Sequence, residues 1–98
     1  MEANHLFKNK ELKYKKDITI TIFNNWLLWT QTVYFIYKSN GNEPPFSYTN
    51  CESIIKKSIS EIRKSRSIKS INTIHKELST HLKNLIYPPI PKFNKGGI

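Results

Sequence analysis

Leu12 to Tyr37 reads LKYKKDITITIFNNWLLWTQTVYFIY, and how this stretch is read decides the fold. Its even positions Leu12, Tyr14, Ile18, Ile20 and Ile22 are apolar, broken only by Lys16, while the odd positions Lys13, Lys15, Asp17, Thr19 and Thr21 are polar or charged. That period of two predicts a half-buried strand. Asn24 and Asn25 follow, and both tolerate the positive φ of a tight reversal. Trp26 to Tyr37 is then dense in aromatic and β-branched residues, which favour a pleated surface. The stretch predicts an antiparallel β-hairpin over 11–38. A second reading stays open, because Trp26, Trp29, Val33 and Ile36 would also line one face of a helix.

Outward from the hairpin, Ser39 to Pro45 (SNGNEPP) holds Asn40-Gly41 and a proline pair, which predicts a loop over 39–48. Thr49 and Glu52 have capping-box spacing, placing a helix start there, with Ile55, Ile59 and Ile62 as its buried stripe. Ile68, Ile71, Ile74, Leu78, Leu82 and Leu85 then fall on a face well rotated from that stripe, so one straight helix cannot bury both sets. The break belongs at Arg63 to Ser67. This gives a first helix to about residue 64, an ambiguous Ile68 to Ile74, and a second helix from His75 to Ile86. Tyr87-Pro88-Pro89 ends it, and the rest is an extended tail over 87–98. The predicted fold class is α/β, an N-terminal antiparallel β-hairpin followed by two helices and an extended Pro/Gly/Lys tail.

With 98 residues, the chain predicts one small domain, 1–98, with little room for a catalytic cleft. Sixteen Lys and Arg against seven Asp and Glu give a net charge of +9, which draws the chain to polyanions. The lysine-rich, Ile- and Asn-rich composition is what AT-rich codons supply and points to an organellar or AT-biased genome. The single cysteine, Cys51, excludes an internal disulfide and a thiolate metal site. Acidic residues Glu2, Glu11 and Asp17 near the start fit neither a secretory signal nor a transit peptide. Ile18 to Tyr37 is uncharged and flanked by Lys16 and Lys38, so a membrane span over 18–37 is the alternative to the hairpin.

Phosphate-binding loops and zinc motifs are absent, and His75 and His81 lie six apart, on opposed sides of one helix. No enzymatic role, cofactor or metal site is expected. Cys51, in the first turn of a helix, reads as a buried thiol rather than a nucleophile. The informative cluster is Lys56, Lys57, Arg63, Lys64, Arg66 and Lys69, six cations against Glu61 alone. Such an excess neutralises phosphates and releases their counterions. Lys13 and Lys15, preceded by Lys8 and Lys10, form a second basic group, and Lys92 and Lys95 a third in the tail.

Three short motifs occur in order: Phe23-Asn24-Asn25 after the alternating strand, Pro44-Pro45-Phe46 before a helix, and Pro89-Ile90-Pro91 followed by Asn94, Gly96 and Gly97. In that order they resemble the small-subunit ribosomal protein eleven family. The resemblance implies an α/β domain contacting small-subunit rRNA near the messenger exit, with Asn24, Asn25, Pro91, Asn94 and Gly96 at matching positions and residues 68–74 as a strand. The family's Gly-rich turn has no counterpart around Thr73 to Glu77. The expectation is a structural rRNA-binding protein of a mitochondrial small ribosomal subunit, in the matrix, with rRNA and neighbouring ribosomal proteins as partners and no small-molecule substrate. The competing expectations are a small accessory subunit of an inner-membrane respiratory complex, spanning at 18–37, and a soluble adaptor docking through amphipathic helices.

Overall fold

The structure is a computed structural model; it describes the backbone of residues 2–85 and side chains from Asn9 onward. Three helices follow one another: α1 over Glu2–Ser39, α2 over Tyr48–Lys64 and α3 over Ile68–Leu85. The chain within these bounds is all-helical, which overturns the α/β expectation. Residues 11–38 form no β-hairpin, and 68–74 open α3 instead of forming a strand. The extended tail expected over 87–98 lies outside the described residues.

The physical reason lies in how α1 distributes its residues. Leu12, Lys16, Thr19, Phe23, Trp26, Thr30, Val33 and Tyr37 recur at alternating spacings of four and three, which follows one side of a helix. Polar residues at three of these eight places hide the stripe from a hydropathy reading. Thr19, Phe23 and Thr30 are nonetheless fully buried. The threonines that suggested a strand suit a helix because their hydroxyls find backbone partners one turn back. Thr30 Oγ1 donates to the Trp26 carbonyl at 2.8 Å, Thr21 to Asp17 at 2.9 Å and Thr32 to Leu28 at 2.9 Å.

The core takes Phe23 from α1, Cys51, Ile55, Ile59 and Ile62 from α2, and Ile71, Leu78 and Leu82 from α3. Two amphipathic helices require a third apolar surface, and a lone two-stranded hairpin is marginal in water. Helix-on-helix packing resolves both demands. Phe23 stacks on Trp26 with centroids 5.4 Å apart, and His75 of α3 meets both rings edge-on at 5.6 and 5.4 Å.

Turn chemistry joins the helices. α1 ends in a Schellman arrangement, in which the Asn42 N–H reaches the Tyr37 carbonyl at 2.9 Å and the Gly41 N–H reaches Lys38 at 3.0 Å. Gly41 takes the left-handed conformation this requires, φ +77°. α2 is capped by Ser47, whose Oγ accepts from the Asn50 N–H at 3.2 Å. The cap thus sits two residues before the expected Thr49, and Glu52 instead accepts from the Tyr48 hydroxyl and pairs with Lys56 at 3.2 Å.

No helix among the described residues is long and apolar enough to cross a membrane. The stretch 18–37 packs Phe23, Trp26 and Trp29 against α2 and α3, which disfavours the spanning alternative.

Candidate nucleic-acid interface

α2 runs antiparallel to α1, so its C-terminal end lies against the first half of α1. Lys16 Nζ donates to the Arg63 carbonyl at 3.0 Å, fixing that juxtaposition. A cation there also complements the negative end of the α2 dipole. α1 continues beyond the contact toward its N-terminus by about 20 Å at 1.5 Å per residue.

The α2–α3 turn is held tightly. The Ser65 N–H reaches the Ile62 carbonyl at 3.1 Å, and the buried Ser65 hydroxyl donates to the Glu61 carbonyl at 3.1 Å. Because Ser65 has one hydroxyl proton, the 3.2 Å contact with Ser70 makes Ser70 the donor. Ser67 Oγ accepts from the Ser70 N–H at 3.0 Å, capping α3. Arg66 is thereby presented from a fixed turn between Lys64 and Lys69, all three exposed.

Residues 10–17 and 57–69 meet at this end of the molecule and carry nine bases, namely Lys10, Lys13, Lys15, Lys16, Lys57, Arg63, Lys64, Arg66 and Lys69. Against them stand only Glu11, Asp17 and Glu61. Net +6 of the chain's +9 is therefore gathered at one end. Among the described residues the ion pairs are Lys38–Glu43 and Lys56–Glu52, so none of the nine is neutralised by a carboxylate contact.

The expected site residues separate accordingly. Lys13, Lys15, Lys57, Arg63, Lys64, Arg66 and Lys69 come together, whereas Lys56 is engaged by Glu52. Asn24 and Asn25 are exposed in the middle of α1, away from any strand end. Lys92, Asn94 and Lys95 lie outside the described residues. Sequence reasoning missed Lys16, which a strand reading set on the apolar side; its place in the four-three series from Leu12 was the available signal.

Among the described residues no group of three or more His, Cys, Asp or Glu side chains is placed to hold a metal. Cys51 is fully buried and burial raises its thiol pKa, which disfavours the nucleophilic thiolate. Pro44-Pro45-Phe46 precedes α2, but Phe23-Asn24-Asn25 sits mid-helix rather than after a strand. Comparison with known proteins returns no matching family model, no matching curated protein and no matching solved structure.

Proposed function

We propose that this is a non-enzymatic RNA-binding protein that grips sugar–phosphate backbone with the basic end of its three-helix bundle. The observation carrying the reading is the meeting of 10–17 with 57–69, nine bases against three acids, none of the nine in an ion pair among the described residues. Seven of the nine are lysines, flexible point charges suited to phosphate but not to bidentate base readout. Binding is then salt-dependent and weakly sequence-selective. Lipid is the lesser reading at the α2–α3 turn, because a membrane-surface site needs apolar side chains between its cations and Ile62 and Ile71 there are buried; on α1 the exposed Tyr14 does stand between Lys13 and Lys15, so vesicle binding belongs in the test. Mitochondrial ribosomal RNA is the ligand to try first, a choice resting on the motif resemblance rather than on the fold.

The test is the salt dependence of binding to a labelled structured RNA by the full chain. Replacing Arg63, Lys64, Arg66 and Lys69 with Gln is expected to weaken binding and lower the log–log salt slope by about 3, as for three or four lost phosphate contacts. Replacing Lys38, Lys56 and Lys83 should change neither. An unaltered slope in the first variant, or binding to anionic vesicles with none to RNA, sinks the reading.

A further inference from the structure

The face of α1 opposite the core is not an ordinary solvated surface. Tyr14, Ile18, Thr21, Asn25, Leu28, Thr32 and Phe35 repeat the same four-three spacing as the buried stripe. At 3.6 residues per turn they and Ile36 fall within an arc of about 100°, directly across the helix from Phe23. Tyr14 is 69% exposed, Ile18 42%, Leu28 61%, Phe35 73% and Ile36 54%. Together they present on the order of 600 Å² of apolar surface, the upper end of what a monomer leaves open and near the roughly 800 Å² per partner of a stable interface.

The polar members of the stripe are already prepared for burial. Thr21 and Thr32 donate their hydroxyls to the carbonyls of Asp17 and Leu28, both at 2.9 Å, so their methyl groups can face a partner without an orphaned donor. Asn25 and the Tyr14 hydroxyl are left to find outside partners.

A shallow depression of about 380 Å³ near the end of α1 is lined by Thr32, Phe35, Ile36, Ser39 and Asn40. The first four stand at i, i+3, i+4 and i+7, the four-residue hole that receives a knob in helix-to-helix packing. The matching exposed knob is Tyr14, at the other end of the same stripe. A knob and hole on one face of one helix satisfy each other in a two-fold pair, where residue i of one copy meets j of the other and the reverse.

We propose that α1 pairs with α1 of a second copy, antiparallel, seating Tyr14 in the Thr32–Phe35–Ile36–Ser39 hole of the partner. Setting 14 opposite the centre of that hole puts the two-fold axis at Asn25. Its amide, both donor and acceptor, then faces its own copy and fixes the register. Charge selects the direction. Parallel pairing would set the two basic ends side by side, whereas antiparallel pairing separates them by the length of the stripe, about 33 Å at 1.5 Å per residue.

Sedimentation equilibrium of the nuclease-treated full chain is expected to give a reversible species of twice 11.5 kDa. Leu28→Lys and Phe35→Glu should each return it to monomer with helicity by circular dichroism unchanged. In a Cys51→Ala background, oxidising a mixture of Tyr14→Cys and Ile36→Cys chains should yield the crossed disulfide, and Tyr14→Cys alone should not link to itself. A monomer at every soluble concentration overturns the proposal, including one that instead binds vesicles through Phe35. A Tyr14→Cys self-link, or a dimer that survives Phe35→Glu, overturns the antiparallel seating.

Discussion

His75 shows how much of the bundle depends on single side chains. It lies edge-on to Phe23 and Trp26, and its pKa is lowered from 6.5, first by desolvation and then by the charge of Lys15. The fold therefore favours the neutral ring, while the unfolded chain protonates more readily. Stability from this group is complete above about 6.5 and is lost as pH falls through the lower folded value. Thermal melts between pH 7.5 and 5.5 should show the melting temperature of the native chain falling, and falling less in His75→Gln. Most exposed carboxylates stay ionised over that range, so they do not mask the difference. Equal declines in both proteins would remove His75 as the cause.

At the scale of elements, serines rather than acidic residues start α2 and α3, since neither helix has an acid in its first turn. Ser47 and Ser67 each satisfy one N–H, of Asn50 and Ser70. Ser47→Ala and Ser67→Ala should each cost about 1 kcal/mol in denaturant unfolding, and because they cap opposite ends of the bundle the double variant should lose about the sum. A negligible loss at Ser67 would show that the Ser65–Ser70 contact holds the turn alone. α2 and the part of α3 from His75 were legible in the sequence, whereas residues 68–74, which open α3, were not. Ile55, Ile59 and Ile62 diverge in phase from Ile71, Leu78 and Leu82, and the change of phase falls at the turn that separates them. α1 was not legible, for an equally specific reason. Its inner stripe carries Lys16, Thr19 and Thr30, and its outer stripe carries Tyr14, Ile18 and Leu28, so apolar residues occupy two opposite faces and their signals cancel at the helical period. Superposed from Leu12 to Ile18, the two stripes imitate alternation, and Ile20 and Ile22, partly buried against the core and in neither stripe, continue it. The same duality concealed Lys16, while Arg63 to Lys69 was legible because charge density survives any error of secondary structure.

For the whole molecule, extending 60 × 30 × 19 Å, the uneven charge makes folding and binding respond to salt in opposite directions. Nine cations at one end, opposed by three acids, repel one another in the folded chain more than in the expanded one. Screening at higher ionic strength relieves this, since the Debye length shrinks from about 30 Å at 0.01 M to about 8 Å at 0.15 M. RNA affinity, by contrast, weakens as released counterions are returned. Cys51 offers a direct reading of the first effect. It is the chain's one thiol, fully buried where α1, α2 and α3 share a core, so it reacts when the bundle opens. Raising NaCl from about 0.01 M to 0.15 M, the range over which that screening length falls, should therefore raise the melting temperature and slow Cys51 labelling by a neutral thiol reagent, while lowering RNA affinity in the same buffers. Replacing Arg63, Lys64, Arg66 and Lys69 with Gln should blunt both salt responses together, because the same side chains cause both. Faster labelling with salt in the native chain would mean that attraction, not repulsion, dominates this end, and that its cations are not held in reserve for a polyanion.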